Sequence, residues 1–285
     1  MTLSEALQAA FDSDLLRASP VSGGDINDAF CLTLKDGIRV FMKANRRASP
    51  DFFRAEAEGL TAIRAAGAIP VPAVTGTGTD GKYGSFLLLE WIESAPQKRD
   101  FWEDFGHRLA RMHRDPAVGR FGWTHDNYIG ARPQINARRD SWVAFFRDCR
   151  LAPQFRDAAR WFEASDRKRI ARLLDHLDDS LIEPEQPALL HGDLWGGNFI
   201  TGSDGGAWLI DPAVYIGHAE ADLAMTELFG GFHRRFYDAY REVSPLQPDY
   251  ARRRELYNLY HLLNHLNLFG GGYLGSVRRI LEHYT

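Results

Sequence analysis

Cysteine is scarce in this 285-residue chain: Cys31 and Cys149 stand far apart and form no C-x-x-C pair. That leaves no disulfide framework and no thiolate zinc site to consider, only two thiols that read as buried and structural. Positive charge is not in excess either. The formal balance of −4 at pH 7 provides no global basic field to draw the chain onto nucleic acid or an anionic membrane. No apolar run is long enough to span a bilayer, and the opening MTLSEALQAAFDSDLL reads as an acidic amphipathic helix without the basic and apolar regions of a signal peptide. The expectation is a cytoplasmic protein with neither a membrane nor a nucleic acid as partner. Repeats and low-complexity tracts are missing as well, and nothing in the chain fixes an oligomeric state.

What is present is enough apolar residue, 45%, for one large core or two modest ones. The first ninety or so residues alternate glycine-bearing turns with strand patterns, including SPVSGGDINDAFCLTL, an Asp36-Gly37 turn, IRVFMKAN, PVPAVTGTG and YGSFLLLEWI. Between them lies a helix with Ser49 as N-cap, Pro50 in its first position, an apolar face of Phe53, Ala57, Leu60 and Ile63, and an end near Gly67. From about Phe101 the pattern turns helical. The chain reads as α+β, a small strand-rich lobe over residues 1–93 followed by a larger, mostly helical lobe over 94–285.

The chemistry concentrates in LLHGDLWGGNFI, Leu189 to Ile200, and in DPAVYIGHAEADLA, Asp211 to Ala224. A short hairpin between them delivers Asp211 at its end, so Asp193, Asn198 and Asp211 offer two carboxylates and an amide oxygen. Such a hard-oxygen set suits Mg²⁺ completed by substrate phosphates. The alternative is that Asp193 and Asn198 only hydrogen-bond a glycine turn. His-x-Asp-x-x-x-x-Asn has the spacing of a protein-kinase catalytic loop, with Asp211 as the following metal-binding acid, and that reading demands a strand lysine paired with a helix glutamate upstream. Lys43 lies in IRVFMKAN, and Glu56 follows thirteen positions later on the apolar face of the helix, where a carboxylate needs a partner. Gly23-Gly24 allows close backbone approach to phosphates, though it matches neither G-x-G-x-x-G nor Walker A and, taken alone, reads better as an ordinary turn. Backbone groups of Glu90 and Ile92, where the lobes join, are candidates for an adenine edge; a buried strand is the other reading. His261 and His265, spaced i and i+4, lack the glutamate of H-E-x-x-H and read as helix packing. Asp222 reads as a buried orienting acid, able to brace the catalytic loop, or as a helix cap, and the arginines at 111, 114, 120, 132, 138, 139, 147 and 150 as a solvated surface.

With Lys43, Glu56, HGDLWGGN and DPAVYIGHAEADLA in place, and with FGWTHDNYIGARPQIN, WVAFF and LYHLLNHLNLFG, the chain resembles the fructosamine (ketosamine) kinase family. The resemblance implies a two-lobed protein-kinase-like fold of the aminoglycoside phosphotransferase type, with an antiparallel β-sheet lobe holding one main helix. It also implies ATP- and Mg²⁺-dependent phosphorylation of the 3-hydroxyl of a ketosamine, free or on a glycated protein, whose 3-phosphate eliminates and returns the amine. Asp193 is then the catalytic residue, Lys43 and Glu56 hold the nucleotide phosphates, and Asn198 and Asp211 hold the metal. Asp126, Asn127, Gln134, Asn136, Trp142 and His218 are implied on the acceptor side. The alternatives are a kinase of the aminoglycoside or choline type and a non-catalytic nucleotide-binding homologue. Arg138 and Ser141 depart from the family's usual residues before WVAFF, and Asp25 stands where some members carry a redox-active cysteine.

Overall fold

The computed structural model of the chain describes residues 1–21, 26–115 and 119–285. Helix α1 (Leu3–Phe11) opens on a reciprocal cap: the Thr2 hydroxyl accepts from the Glu5 amide and the Glu5 carboxylate accepts from the Thr2 amide. It is shorter than the opening pattern reads, because Leu15–Pro20 is already a strand, β1. Strands β2 (Asp28–Leu34) and β3 (Arg39–Asn45), helix α2 (Pro50–Ala66), and strands β4 (Val74–Asp80) and β5 (Gly84–Glu90) follow. The five strands form one antiparallel sheet in the order β1-β2-β3-β5-β4. The β2–β3 connection turns at Gly37, whose φ of 89° suits glycine and whose amide bonds the Leu34 carbonyl.

The two faces of β3 explain how the lysine is placed. Val40, Met42 and Ala44 point into a core with Leu3, Leu7, Leu32, Phe86 and Leu88, so strand alternation turns Lys43 to the opposite face, where Glu56 of α2 meets it. Phe53, Leu60 and Ile63 anchor α2; burying each contributes roughly 1.5–3 kcal/mol. Pro50 takes the first helical position and Gly67 ends the helix at a φ of 70°. Ser49 occupies the N-cap position, but its side chain makes no capping bond among the described residues, so its expected role reduces to backbone geometry.

Beyond β5 come α3 (Phe101–Arg114), the ribbon β6 (Asn127–Ile129) and β7 (Arg132–Gln134), α4 (Trp142–Phe145), α5 (Ala152–Asp157) and α6 (Ala164–Asp175). Then follow β8 (Ala188–Leu190), the hairpin β9 (Phe199–Thr201) and β10 (Ala207–Leu209), β11 (Tyr215–Gly217), α7 (Glu220–Leu228), α8 (Arg234–Val243), α9 (Tyr250–Phe269) and α10 (Leu274–Tyr284). A π-helical stretch, Phe146–Leu151, joins α4 to α5. Two compact units result: residues 1–101 with 198–212, and residues 102–197 with 213–285. This differs from the division at 93/94 read from sequence. Residues 94–101 stay with the first unit because the Lys98 amide bonds the Gly205 carbonyl, the Ser94 hydroxyl bonds Thr201, and the Phe101 and Phe199 rings lie 5.9 Å apart. The Leu209 amide further ties β10 to Pro70. In the second unit α9 is the spine, its Leu256, Leu259, Leu263 and Leu266 buried with Trp142, Phe145, Phe146 and Tyr215. Among the described residues no helix is long and apolar enough to cross a membrane.

Candidate active site

The first unit carries a charged cluster. Lys43 Nζ donates to Glu56 Oε1 at 2.6 Å and also bonds the Asp211 carboxylate. The Lys43 and Glu56 side chains are 10% and 12% exposed, and Asp211 is 39% exposed. Burial works against the lysine charge, but the Asp211 and Glu56 carboxylates outweigh it and raise the ammonium above its ordinary value. Burial pushes the Glu56 carboxyl up while Lys43 pulls it down. Asp211 sits at the end of the β9–β10 hairpin with a left-handed φ of 56°, which aspartate tolerates better than most residues. Asn198 enters the same hairpin, buried, with its carbonyl accepting from the Ile210 amide. One carboxylate and one amide oxygen bracketing a hairpin fit a hard cation that keeps waters and takes phosphate oxygens. Among the described residues no cluster of three or more His, Cys, Asp or Glu side chains is arranged to hold a metal.

In the same unit, the Glu90 amide is committed to the Ala73 carbonyl at 2.8 Å, and its side chain accepts from the Ala73 amide. The adenine-edge expectation therefore narrows to the Glu90 carbonyl and the groups of Ile92. Gly23, Gly24 and Asp25 lie outside the described residues.

The second unit carries the His191–Gly192–Asp193 turn, hung from the β8–β11 ribbon. Asp222, buried at the start of α7, accepts from the His191 amide at 2.7 Å and the Gly192 amide at 2.8 Å, and also meets His113 Nε2 at 3.2 Å. Burial alone would raise the Asp222 carboxyl; the hydrogen bond and charge of His113, with the Gly192 amide, hold it below the ordinary carboxylate value. Gly192 has a φ of 82°, and a Cβ built there would lie 2.1 Å from the Ala213 carbonyl oxygen. The glycine is therefore required where protein kinases carry the arginine of H-R-D. The Asp193 amide bonds His191 Nδ1 at 3.3 Å, so the loop is shaped by its own histidine.

The residues expected on the acceptor side are mostly elsewhere. Asn127 Nδ2 donates to Val214 O, while its Oδ1 accepts from Gln134 Nε2 and Asn136 Nδ2. Gln134 also donates to Ala213 O and accepts from Tyr260. Asn136 Oδ1 accepts from Arg150. These three amides are buried and bonded: Asn127 and Gln134 brace the backbone at 213–214 and Asn136 bonds the His125 carbonyl, which corrects their assignment to sugar binding. Trp142 is fully buried among Phe145, Phe146 and Tyr257, and His218 is buried against Gln247, so neither lines an open surface. Burial, with Arg253 nearby, pushes the His218 imidazole down to about 3 and keeps it neutral. Asp126 alone of the six is exposed, with one oxygen accepting from the Asn136 amide.

The whole chain, residues 1–285, matches the family model described as fructosamine kinase. The chain belongs to the fructosamine kinase family. A probable ketoamine kinase of Synechocystis sp. is 43% identical over 92% of this chain and 88% of its own length. A chloroplastic protein-ribulosamine 3-kinase of Oryza sativa subsp. indica is 38% identical over 93% of this chain and 78% of its own. A solved structure named as a fructosamine-3-kinase, from Thermobifida fusca, superposes with a TM-score of 0.87 at 35% identity, covering 98% of this chain and 97% of that one. An aminoglycoside phosphotransferase, solved as a ternary complex with AMP-PNP and hygromycin B, shares the fold alone, at a TM-score of 0.64 and 14% identity over 99% of this chain and 96% of that one. The α+β, protein-kinase-like fold read from sequence is the observed one.

In this member of the fructosamine kinase family, three features escape sequence reasoning. Trp195 is 37% exposed, its ring folded where a Cβ on Gly197 would lie 2.4 Å from it, and it meets Phe229 edge-on at 6.2 Å. Phe229 meets His265 at 4.9 Å, and His265 meets Tyr273 at 5.1 Å. Arg150, expected on the surface, is fully buried, its guanidinium 3.9 Å from the Tyr215 ring centre and bonded to Ile135 O and Asn136. His261 is buried with its Nδ1 3.8 Å from Asp193 Oδ1. The glycine-aromatic alternation of LWGG signals the first of these; nothing local signals the other two.

Proposed function

We propose that the protein phosphorylates the 3-hydroxyl of ketosamines with ATP, and that loss of the unstable 3-phosphate then frees the amine. The observation that carries this reading is the single lysine bonded to both Glu56 and Asp211, in a chain whose catalytic-loop aspartate is shaped by a required glycine. Lys43, kept charged by its two carboxylates, holds the α and β phosphates, and Glu56 fixes the lysine in place. The Glu90 carbonyl and Ile92 take the adenine edge, and Gly23-Gly24 approaches the phosphates. Asp193 orients the acceptor hydroxyl and takes its proton as the oxygen attacks the γ phosphorus and the bond to ADP breaks. Asn198 and Asp211 would hold Mg²⁺, which when bound neutralises charge developing on the phosphates. A loose transition state asks little base strength of Asp193, so catalysis is mainly positioning and charge neutralisation.

On the acceptor side, Trp195, Phe229 and His265 offer ring faces to the sugar and to the protonated nitrogen of a ketosamine, with Asp126 as an exposed acid in the same unit. Relatives named as protein-ribulosamine 3-kinases support a ribulosamine as acceptor. The test is ADP release from Mg-ATP with ribulosamines, psicosamines and fructosamines, free and protein-bound. Turnover abolished by Asp193→Asn supports the proposal. Silence on every ketosamine with turnover of an amino alcohol or aminoglycoside overturns the substrate; nucleotide binding without turnover on any acceptor overturns the enzyme.

A further inference from the structure

The catalytic-loop aspartate has a neighbour that the reaction scheme does not use. His261, on α9, is 4% exposed, and its Nδ1 has no hydrogen-bond partner among the described residues. Buried polar atoms in native proteins are nearly always bonded, so an unpartnered ring nitrogen calls for a partner. That nitrogen lies 3.8 Å from Asp193 Oδ1, about 1 Å beyond a charge-assisted hydrogen bond, and catalytic hydrogen bonds are often long until substrate closes them.

We infer that His261 is a positioning residue for Asp193: its Nδ1–H donates to Oδ1 of the carboxylate and fixes the rotamer in which Oδ2 faces the acceptor hydroxyl. The inference rests on the phosphotransferase reading above. The groups around the imidazole decide between donating and relaying. Burial, followed by His265 on the same helix, disfavours the imidazolium, and Arg150 from the π-helical stretch does so as well. Asp222 from α7 favours it, and the Tyr260 ring packs edge-on at 5.1 Å. The balance holds the imidazole down to about 3, so it stays neutral at working pH and is a poor resting place for a proton. A neutral imidazole carries one N–H, and a carboxylate facing Nδ1 selects the tautomer with the hydrogen there. His261 therefore orients Asp193 and leaves the transferred proton to it.

The experiment compares the full-length protein with His261→Phe, His261→Asn and His261→Gln, using Mg-ATP and a ribulosamine that wild type phosphorylates. Asparagine puts an amide nitrogen near the place of Nδ1; glutamine puts it near that of Nε2. His261→Phe should lower kcat about 10- to 100-fold with the KM for ATP within about twofold. Its acid limb should move to higher pH, because a donor favouring the charged carboxylate is gone. His261→Asn should restore kcat to within about fivefold of wild type, and His261→Gln should not. Equal losses in all three variants that track melting temperature, with an unmoved acid limb, would overturn the inference, as would a wild-type kcat in His261→Phe. Nitrogen-15 spectra of labelled histidine read the imidazole without any acceptor present: His261 should be the Nδ1–H tautomer, and an Nε2–H tautomer sinks the idea. Absence of wild-type turnover, by contrast, would fall on the proposed function.

Discussion

The two units hold their candidate site carboxylates by opposite means. Asp211 is held by an ion pair to a long side chain, Lys43, which is itself shared with Glu56. The Asp193 turn is held by backbone amides delivered to Asp222, by a glycine in a conformation other residues resist, and by the neutral buried imidazole of His261 beside it. The first device depends on charge balance, so removing the lysine leaves buried Glu56 without its cation. The second depends on shape and satisfied hydrogen bonds, so it should tolerate charge changes nearby and fail when the backbone is disturbed.

The contrast can be broken most severely at Lys43. Lys43→Met leaves Glu56 buried without its cation, so turnover should vanish and stability should fall by about 3–5 kcal/mol in denaturant unfolding. Lys43→Met with Glu56→Leu should regain most of that stability and none of the activity. A single variant as stable as wild type would mean the cluster is not governed by charge balance. Next in size, Gly192→Ala forces a Cβ toward the Ala213 carbonyl at positive φ, and should cost about 1–3 kcal/mol with at least a tenfold loss of kcat. Melting curves and ADP release read both.

A smaller effect separates the units by pH. His218 and His261 are held near 3 in the folded chain, against an ordinary value of 6.5, so between those values the unfolded chain binds protons that the folded chain does not. Stability should thus be fully present above about pH 6.5 and decline as the pH falls toward 3, and His218→Phe should flatten part of that slope if packing survives. A slope identical in His218→Phe would show that the imidazole is not held neutral. The smallest change is expected at Trp195→Ala. The acceptor KM should rise about 3- to 10-fold with the KM for ATP unmoved, since a half-exposed ring contributes only part of a stacking contact.

The same contrast governs what could be read without coordinates. Glu56 was legible because helix periodicity put a carboxylate beside Phe53 and Leu60, and a buried charge demands a partner; Asp222 was legible as an acid placed after a glycine turn. Asn127, Gln134 and Asn136 were misplaced because an amide offers the same donors and acceptors to a sugar as to the carbonyls of Val214, Ala213 and His125. Sequence shows the capacity to bond, not the partner. Trp142, Arg150 and His261 were hidden for a related reason: their surroundings come from segments distant in the chain, and no local period records which face of α9 meets the loop at Asp193. The boundary near 93 was read from a change of pattern, whereas the hairpin at 198–212 belongs to the first unit through bonds to residues 94–101 and Pro70 that no pattern announces.

That hairpin makes the gene indivisible. A fragment ending near residue 101 encodes every strand of the five-stranded sheet, yet it lacks the segment that carries Asn198 and Asp211 and that accepts from Lys98. A fragment beginning there carries a segment whose bonding partners have been left behind. Exchange of halves between relatives, or complementation from two separately expressed pieces, would therefore have to move two stretches of coding sequence together, 1–101 and 198–212, and recombination at a single crossover between them would take Lys43 and Asp211 from different parents.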